Sequence, residues 1–462
     1  MPTNFDYDVI IGGAGAAGCI AAFVLGTKGY KVGLFETKPK ARIGEKICGD
    51  ALGDQVFSDL ALPQLPSAVI LRRIKGGLLY SPDLTSIELN DKSQAGFILD
   101  RHEFGQTLLS WALKTGTVEL LDEHTILQPL LEKDHVTGIR VRDKKTKQEK
   151  SVTAPVVIDC CGYATPIRPH IPDPMCEPSF NEAHDSIICY REILEFSEAG
   201  FNHPVSPHHI GIFLDVEKAP GGYIWYFPRT DNTANIGFGV SPQYSSQIKT
   251  LFKNNVRDRF VGQKSVNTLS SGGGIVSVRH PIWSAVSPGV MFAGDSALQV
   301  NPIHGGGLDP AIRAGYYAAE TAIQVLESQD FSKRTLWNYN VRTVREFGRS
   351  FASLNVVRQA LQSFSNRQID YAMRNQMLSA QEILEICESG KITFDPFYLL
   401  SKILWGALNP FLFGDLVLTF SKMKRISAIY SRFPSIPEEF PAWQRKAERE
   451  FTEISELLRP SR

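Results

Sequence analysis

The sequence has few of the features that mark a membrane-spanning, metal-binding or disulfide-bonded protein. Its 462 residues include seven cysteines, an odd number, and no two of them are spaced as Cys-x-x-Cys. That pattern argues against a disulfide framework, a zinc site and a built-in iron–sulfur cluster. The chain runs from Asp8 directly into a predicted strand, which leaves no room for a signal peptide. We therefore expect a reduced, cytoplasmic protein without a metal site.

Long apolar runs and an excess of one charge are also absent. Residues 397–420 form the most apolar late stretch, but Lys402, Asn409, Pro410 and Asp415 keep it below the roughly 18–20 uncharged residues of a membrane span. This stretch can still touch a membrane from one side. The 49 basic and 49 acidic side chains cancel, whereas a nucleic-acid-binding protein is usually basic. We expect no nucleic-acid partner.

Residues 9–36 follow the pattern of a dinucleotide-binding unit. An apolar run predicts a buried strand, and a glycine-rich turn, a small-residue helix and a second strand ending at Glu36 follow it. Gly13 permits a tight turn, Gly15 lets the backbone approach a pyrophosphate, and Gly18 lets the helix lie close to the strand. The helix N-terminus offers N–H groups to phosphates, and Glu36 can accept hydrogen bonds from a ribose diol. The alternative is a glycine-rich turn that only packs.

A second unit of strand, glycine loop and helix occupies residues 290–326. Its short apolar strand leads to Asp295, whose carboxylate can bond a ribityl hydroxyl. Gly305, Gly306 and Gly307 then bring a helix N-terminus against a phosphate or the edge of a flavin ring. Two separated units of this kind are typical of FAD enzymes.

Two residues between these units are candidates with open roles. Cys48 lies in a loop at 38–54 that has no clear period, and it is either a structural thiol beside the cofactor or a redox or acid group. Arg101 opens a predicted helix and either reaches the pyrophosphate or an adjacent loop, or is simply exposed.

An aromatic strand marks the centre of a second, mostly antiparallel sheet. Segments 186–194, 210–216, 222–227 and 233–240 are strand-like. Alternate residues of a strand share a face, so Tyr223, Trp225 and Phe227 lie on one side of the third segment. They form either ordinary sheet core or the lining of an apolar substrate tunnel.

The motif set resembles the para-hydroxybenzoate-hydroxylase-like flavoproteins, an α/β fold with a Rossmann-like FAD-binding domain. Residues 46–50, 223–228 and 300–307 further resemble the geranylgeranyl reductase family, in particular its archaeal members that saturate digeranylgeranylglycerophospholipids. The resemblance covers nearly the whole chain. It implies an FAD-dependent reductase that saturates C=C bonds of isoprenoid lipid chains, with Cys48 as the catalytic candidate.

The resemblance also implies site residues and partners. The implied FAD contacts are Ala17, Glu36, Cys48, Gly49, Ala51, Arg101, Asp295, Gly307 and Leu308, with a further backbone contact near Ile126. The implied substrate-binding residues are Tyr223, Trp225, Phe227 and His304. The implied electron donor is external, ferredoxin first, with a deazaflavin or NADPH as alternatives. Ile403, Leu404, Ala407 and Leu408 recur at helical spacing and form either core or a tunnel mouth against the inner face of the membrane.

These expectations combine into a domain plan with an antiparallel-sheet substrate domain and a helical C-terminal region. The FAD-binding domain is predicted in three pieces, at 1–70, 100–170 and 281–328, the substrate domain at 71–99 and 171–280, and the helical domain at 329–462. Rival functions are a prenyl saturase acting on geranylgeranyl diphosphate or quinone tails, an FAD-dependent aromatic monooxygenase on the same fold, and a flavoprotein that only relays electrons to a quinone.

Overall fold

The computed structural model describes residues 5–90, 96–177, 180–197, 201–262, 264–392, 402 and 406–457. Within these ranges, no helix combines the length and the apolar character needed to cross a bilayer. The described strands are β1 (Val9–Gly12), β2 (Val32–Phe35), β3 (Ala51–Gly53), β4 (Ile70–Ile74), β5 (Gly76–Tyr80), β6 (Ser86–Asn90), β7 (Gly96–Leu99), β8 (Val118–Leu121), β9 (His124–Glu132), β10 (His135–Asp143), β11 (Glu149–Thr153), β12 (Val156–Asp159), β13 (Ser186–Phe196), β14 (His209–Phe213), β15 (Ile224–Pro228), β16 (Thr233–Val240), β17 (Val266–Ser277), β18 (Val286–Ser287) and β19 (Val290–Phe292).

The helices concentrate after the last strand. In the described ranges they are α1 (Ala16–Thr27), α2 (Gln55–Asp59), α3 (Arg101–Leu113), α4 (Glu182–Asp185), α5 (Ile248–Phe252), α6 (Asp258–Val261), α7 (Leu308–Ser328), α8 (Lys333–Thr343), α9 (Arg349–Ser363), α10 (Asn366–Arg374), α11 (Ala380–Ser389), α12 (Pro410–Tyr430) and α13 (Phe440–Leu457).

A six-stranded sheet, in the order β18-β19-β12-β1-β2-β8, carries the N-terminal unit. The central strands pair in parallel, with Val9 opposite Val156 on one side and Val32 on the other. Every residue of β1, β2 and β12 is buried, as expected for a parallel sheet covered on both faces. Helix α1 packs against α3 and α7. A Cβ on Gly315 would collide with the carbonyl of Ala17, so α1 and α7 cross with their backbones close together.

A seven-stranded sheet, in the order β17-β13-β16-β15-β14-β5-β6, forms the second large layer. Its strands pair antiparallel except for β14 and β5. One face carries Tyr226 and Phe238, which pack with Phe252 and Phe260 from the short helices beneath. Trp225 and Phe227 pack together on the other side, against Ile74 and Ile98 from β4 and β7. The predicted alternation of the aromatic strand is therefore confirmed.

The C-terminal helices pack against both layers. Trp337 of α8 donates its indole N–H to the carbonyl of Pro434 at 2.9 Å, which ties α8 to the segment before α13. Met373 and Leu412 form a separate apolar cluster with Leu79 and Ile87 of the seven-stranded sheet. The helical region thus packs on the β5–β6 side of that sheet.

The fold class predicted from the sequence is confirmed, with differences at strand ends. The alternating pattern of residues 71–80 predicts a single strand, but the segment divides at Lys75, because β4 pairs with β7 while β5 pairs with β14. Strands β3, β7 and β4 consequently form a three-stranded sheet of their own. The strand-like segments 126–131, 136–142 and 150–153 predict a β-meander, which the structure shows as β9, β10 and β11, an antiparallel sheet. Strand β17 was not predicted, because its polar first half carries no apolar signal.

Candidate active site

The glycine-rich turn between β1 and α1 forms one end of the candidate site. Gly13 has φ of +89°, and a Cβ there would collide with the carbonyl of Cys160. A Cβ on Gly18 would collide with the carbonyl of Gly13, so α1 begins directly against the turn. At Gly15, by contrast, a Cβ would meet no atom within 4 Å. The backbone is therefore open to a ligand at this one glycine of the three.

Helix α1 directs its first N–H groups into that opening. Gly15 is its N-cap, no side chain caps it, and its first turn contains no acidic residue. The positive end of the helix dipole is thus available to an anion. Glu36 and Arg101 line the same pocket. Arg101 is buried, and its Nε has no hydrogen-bond partner among the described residues. Three residues predicted for the cofactor therefore meet around one opening.

The carboxylate of Glu36 is held in a single orientation at the end of β2. Its Oε2 accepts a hydrogen bond from the backbone N–H of Ala14 at 2.9 Å, and its Oε1 accepts one from Lys38 N–H at 2.9 Å. Each oxygen keeps a further lone pair. The residue can therefore accept from a pair of adjacent hydroxyls without rearranging.

The second predicted unit places Asp295 beside the glycine loop that precedes α7. Gly307 is the N-cap of α7, no side chain caps that helix, and a Cβ on Gly307 would lie 3.3 Å from Asp295 Oδ1. Asp295 Oδ2 accepts a hydrogen bond from Lys46 Nζ at 2.7 Å. Lys46 belongs to the loop before β3, so this ion pair joins two predicted cofactor loops. Sequence reasoning assigned no role to Lys46, although it opens a motif quoted for the family resemblance.

Asn301 shapes the loop that contains Gly305 and Gly306. Its carbonyl accepts from Gly305 N–H at 2.9 Å, and its own N–H donates to the carbonyl of Gly306 at 3.1 Å. Its side-chain Oδ1 accepts from Ile303 N–H at 2.9 Å. These local bonds fold the chain back on itself, so that the following residues enter α7 with free N–H groups.

The aromatic wall, which we define as Tyr223, Trp225 and Phe227, contacts both cofactor loops. Tyr223 donates its hydroxyl hydrogen to the carbonyl of His304 at 2.6 Å. The ring of Phe227 lies so close to Gly49 that a Cβ there would be 2.8 Å from the ring. Neighbouring ring centroids are 6.1 and 6.4 Å apart, so the three rings form a continuous surface. The wall is therefore built against the loops and is not remote sheet core.

The wall combines a packed end with an accessible end. Trp225 and Phe227 are buried. Tyr223 and the nearby Cys48 and Cys189 are only partly buried, and His304 is exposed. The Tyr223 end of the wall is therefore accessible, whereas the end at Trp225 and Phe227 is packed.

The loop that carries Cys48 is fitted closely to the seven-stranded sheet. A Cβ on Gly272 of β17 would lie 2.6 Å from the tip of the Ile47 side chain, so the loop approaches that strand closely at a position without a side chain. Asp50, on the other side of Cys48, is buried, and burial raises the pKa of its carboxyl. Arg229, Arg191 and Arg101 oppose that effect, which places Asp50 in a region of positive charge.

Not every predicted residue lines the opening. Ile126 lies in β9 with its side chain directly behind Gly12, and Ala17 faces α7 at Gly315. Both side chains are buried in the core of the N-terminal layer. Their contribution to a cofactor site stays a prediction, and it would come through the backbone or through support of the glycine-rich turn.

Comparison with known families defines the class of protein first. Residues 8–165 match the model of FAD dependent oxidoreductases. Residues 185–276, which contain the aromatic wall, match the model of the geranylgeranyl reductase catalytic domain. The protein is accordingly an FAD-dependent oxidoreductase.

A curated relative makes the assignment more specific. The digeranylgeranylglycerophospholipid reductase of Sulfolobus acidocaldarius is 32% identical over 454 residues, which cover 98% of this chain and 99% of the relative. The chain belongs to the geranylgeranyl reductase family, as the motifs predicted.

Solved structures support the same fold at lower identity. A geranylgeranyl bacteriochlorophyll reductase-like protein from Thermoplasma acidophilum superposes with a TM-score of 0.73 at 23% identity, over 89% of this chain and 99% of that chain. A flavin-dependent brominase superposes with a TM-score of 0.62 at 19% identity, over 88% and 98% of the two chains. These likenesses show the fold alone.

The residues present fit FAD at both ends of the site. The open backbone at Gly15 and the unpartnered Nε of Arg101 suit a pyrophosphate. The fixed carboxylate of Glu36 suits a ribose. The uncapped N-terminus of α7 at Gly307 suits the electron-rich edge of a flavin ring.

Gly15→Val should abolish FAD binding while leaving the fold intact. The added side chain enters open space in the protein but occupies the place where the backbone must approach a pyrophosphate. Flavin absorbance per protein after purification, together with far-UV circular dichroism, measures both effects. Gly53→Val is the matched control, because a Cβ at Gly53 also meets nothing within 4 Å. A flavin-replete Gly15→Val protein would contradict the assignment.

Proposed function

We propose that this protein reduces the C=C bonds of geranylgeranyl chains in archaeal membrane glycerophospholipids. The observation that carries the proposal is the contact of the aromatic wall with both cofactor loops, through Tyr223 to His304 and through Phe227 to Gly49. An apolar surface held against the redox centre suits a substrate without polar groups near its reacting bond. The name of the Sulfolobus relative supports the choice of lipid.

We also propose the FAD contacts expected from the sequence. They are Gly13, Gly15, Ala17, Gly18, Glu36, Cys48, Gly49, Ala51, Arg101, Ile126, Asp295, Gly305, Gly306, Gly307 and Leu308. Pocket geometry supports Gly15, Glu36 and Arg101 most directly.

An isolated alkene has no carbonyl to polarise it, so the work of the protein is orientation and exclusion of water. Reduced FAD, when bound, supplies a hydride to one alkene carbon. A proton must reach the other carbon, and we assign its delivery to Cys48, which directly precedes Gly49, the residue that contacts the aromatic wall. Its thiol donates that proton, and the thiolate that remains regains one from solvent.

The apolar wall has an energetic reason as well. Moving one CH₂ group from water to an apolar environment is favourable by about 0.8 kcal/mol of free energy. A lipid tail that leaves a bilayer gains almost none of this free energy, because the bilayer is already apolar. The tail therefore enters the protein only if the wall is about as apolar as the membrane. Trp225 and Phe227 meet this condition together with Ile74 and Ile98, because the four form one apolar cluster.

The electron donor that we propose is external, with ferredoxin as the first candidate and a deazaflavin or NADPH as alternatives. The chain contains a single Gly-x-Gly-x-x-Gly run, at 13–18, and it serves the FAD pocket. A tightly bound nicotinamide would need a further phosphate-binding turn of this kind. A transient carrier needs only brief access to the flavin.

We propose that α12 contacts the membrane that supplies the lipid. Phe411 is 84% exposed and Val417 is 53% exposed in the first two turns of α12, and Leu408 just before the helix is 68% exposed. Large apolar side chains clustered at a surface mark an interaction site. Ile403 and Leu404 of the predicted tunnel mouth lie outside the described residues.

The substrate is tested with the FAD-loaded protein, dithionite and a digeranylgeranylglycerophospholipid under anaerobic conditions. Mass spectrometry should show products heavier by two hydrogens for each bond saturated. Geranylgeranyl diphosphate and a geranylgeranyl-tailed quinone are the comparison substrates. Reduction of those two alone would refute the proposed head group. Hydroxylated product or peroxide formed from NADPH and dioxygen would indicate a monooxygenase instead.

Cys48→Ala should keep FAD but reduce alkene saturation by about 10²-fold or more, the usual contribution of a positioned general acid. Burial, and after it the carboxylate of Asp50, raises the pKa of the Cys48 thiol above the usual 9.0. The protonated, active form thus persists at neutral pH, and the rate should fall only in the alkaline range above that value.

This alkaline fall should be absent in Cys48→Ser, because a hydroxyl does not titrate there. Cys189→Ala is the control, since Cys189 is also partly buried and its pKa is raised by burial to about 12. Wild-type rates in Cys48→Ala would remove this thiol from the reaction.

Phe411→Ser combined with Val417→Ser should weaken membrane binding about tenfold or more, since each large apolar side chain gains about 1.5–3 kcal/mol when fully buried. Co-flotation with liposomes of archaeal lipids measures the effect. Leu269→Ser serves as the control, because Leu269 is 52% exposed on β17, the edge strand of the seven-stranded sheet opposite β6. Equal flotation of the double variant and the wild type would exclude α12 as the contact.

A further inference from the structure

Asn235 is a fully buried polar residue in the middle of the candidate site. It lies in β16, with 0% of its surface exposed, directly across from Phe227 in the antiparallel pairing of β15 and β16. Paired residues of antiparallel strands point to the same face. The side chain of Asn235 therefore belongs to the face of the sheet that carries the aromatic wall.

The amide group of Asn235 makes three hydrogen bonds to three different functional groups. Its Oδ1 accepts from the indole N–H of Trp225 at 3.0 Å. Its Nδ2 donates to the carbonyl oxygen of Cys48 at 2.8 Å and to Asp50 Oδ2 at 3.1 Å. Both amide hydrogens and one lone pair are thus used within the site. One side chain joins the aromatic wall to the Cys48 loop.

Only a carboxamide of this length satisfies the three partners. The indole N–H requires an acceptor, whereas the carbonyl and the carboxylate require donors, so one orientation of the amide is possible. An aspartate in its place would direct an oxygen at two oxygens. A serine would be too short to reach both sides. Buried groups left without partners cost about 1–3 kcal/mol each.

Two of the three hydrogen-bond partners of Asn235 need the support that it supplies. Asp50 has φ of +66°, a conformation uncommon outside glycine, and its Oδ1 has no hydrogen-bond partner in the described part of the chain. On the other side, the indole of Trp225 lies directly over Gly237, where a Cβ would approach ring atom Cε2 to 2.5 Å. The missing side chain at Gly237 lets the indole N–H reach the amide.

We propose that Asn235 is a positioning residue, which holds the thiol of Cys48 at a set place relative to the aromatic wall through the Cys48 carbonyl and the Trp225 indole. The inference rests on the proposed function for its catalytic consequence, because a proton donor must face an alkene lying on that wall. The hydrogen bond from Asn235 to Cys48 goes to the backbone carbonyl and not to the thiol. Its loss should therefore slow the proton transfer without removing FAD.

Asn235→Asp and Asn235→Ser test the inference, the second serving if the first fails to fold. Either variant should lower kcat for alkene reduction tenfold or more, with FAD content and KM within about twofold of wild type. In a Cys48→Ala background the same substitution should lower kcat by less than about a further threefold, because the thiol that Asn235 positions is gone. Full additivity of the two effects would overturn the inference.

Two further measurements do not depend on activity. The first is the signal of the Trp225 indole N–H in a ¹⁵N spectrum, which is assigned by its loss in Trp225→Phe and should shift in both Asn235 variants. The second is the rate at which Cys48 is alkylated, measured in a Cys189→Ala background, and this rate should change severalfold. Unchanged values of both would refute the positioning role. If wild-type protein reduces no prenyl lipid, the proposed function fails, while these two readouts still decide the role of Asn235.

Asn340→Ser is the matched control for these experiments. Asn340 is also buried, its Oδ1 accepts a hydrogen bond from Ala285 N–H at 2.8 Å, and its Nδ2 donates one to Ser284 Oγ at 2.9 Å. It lies in α8, against β18. A general loss of stability from removing a buried amide should therefore appear in both proteins, whereas the Cys48-dependent effects should appear only with the Asn235 variants.

Discussion

The contact between one face of the seven-stranded sheet and the two cofactor loops is the constraint on which the site depends. Phe227 against Gly49 and Tyr223 against the carbonyl of His304 bring an apolar surface to the place where the FAD-binding loops end. Neither the sheet nor the loops would form a reductase site alone. The chemistry requires an alkene without polar groups to lie beside a highly polar cofactor. The two layers must therefore meet where the aromatic wall contacts the cofactor loops, which we call the seam.

Small residues make that seam possible. Gly49 admits the ring of Phe227, Gly272 admits Ile47, and Gly237 admits the indole of Trp225. At each of these positions a Cβ would fall within 3.0 Å of a neighbouring side chain, closer than packed atoms approach. The glycines of the phosphate-binding turn serve the ligand, whereas these three serve the fit between layers. A glycine-rich sequence thus has two distinct uses in the same site.

Electrostatics divides the site in the same way. The proposed pyrophosphate end presents the N-terminus of α1 and Arg101, with no acid in the first turn of the helix. The proposed alkene end presents rings, half-buried thiols and a buried carboxyl at Asp50. Burial raises the pKa of the Cys48 thiol and of the Asp50 carboxyl, so both groups are driven toward their neutral, protonated forms. A neutral lipid tail and a charged cofactor can then be held within one fold.

Local signals were sufficient for most elements and for the cofactor. The turn at Gly13 to Gly18, the acid at Glu36 and the alternation of Tyr223, Trp225 and Phe227 each follow from short-range sterics and periodicity, and the FAD-binding fold they predicted is confirmed. Strand ends were less accurate. The division at Lys75 was missed because two strands of different sheets adjoin without a turn signal, and the polar half of β17 was missed because pairing with β13 determines it.

The sequence by itself determined the class of cofactor, the alternation of the aromatic strand and the family, because each depends on residues a few positions apart. Tertiary structure alone decided which partners those residues meet. Asn235 carried no local signal, since its hydrogen bonds reach Cys48 and Asp50, 187 and 185 residues away along the chain. Lys46 likewise meets Asp295 across 249 residues. Contacts of this kind form only when separate layers pack together. The residues next to each partner in the sequence therefore give no sign of them.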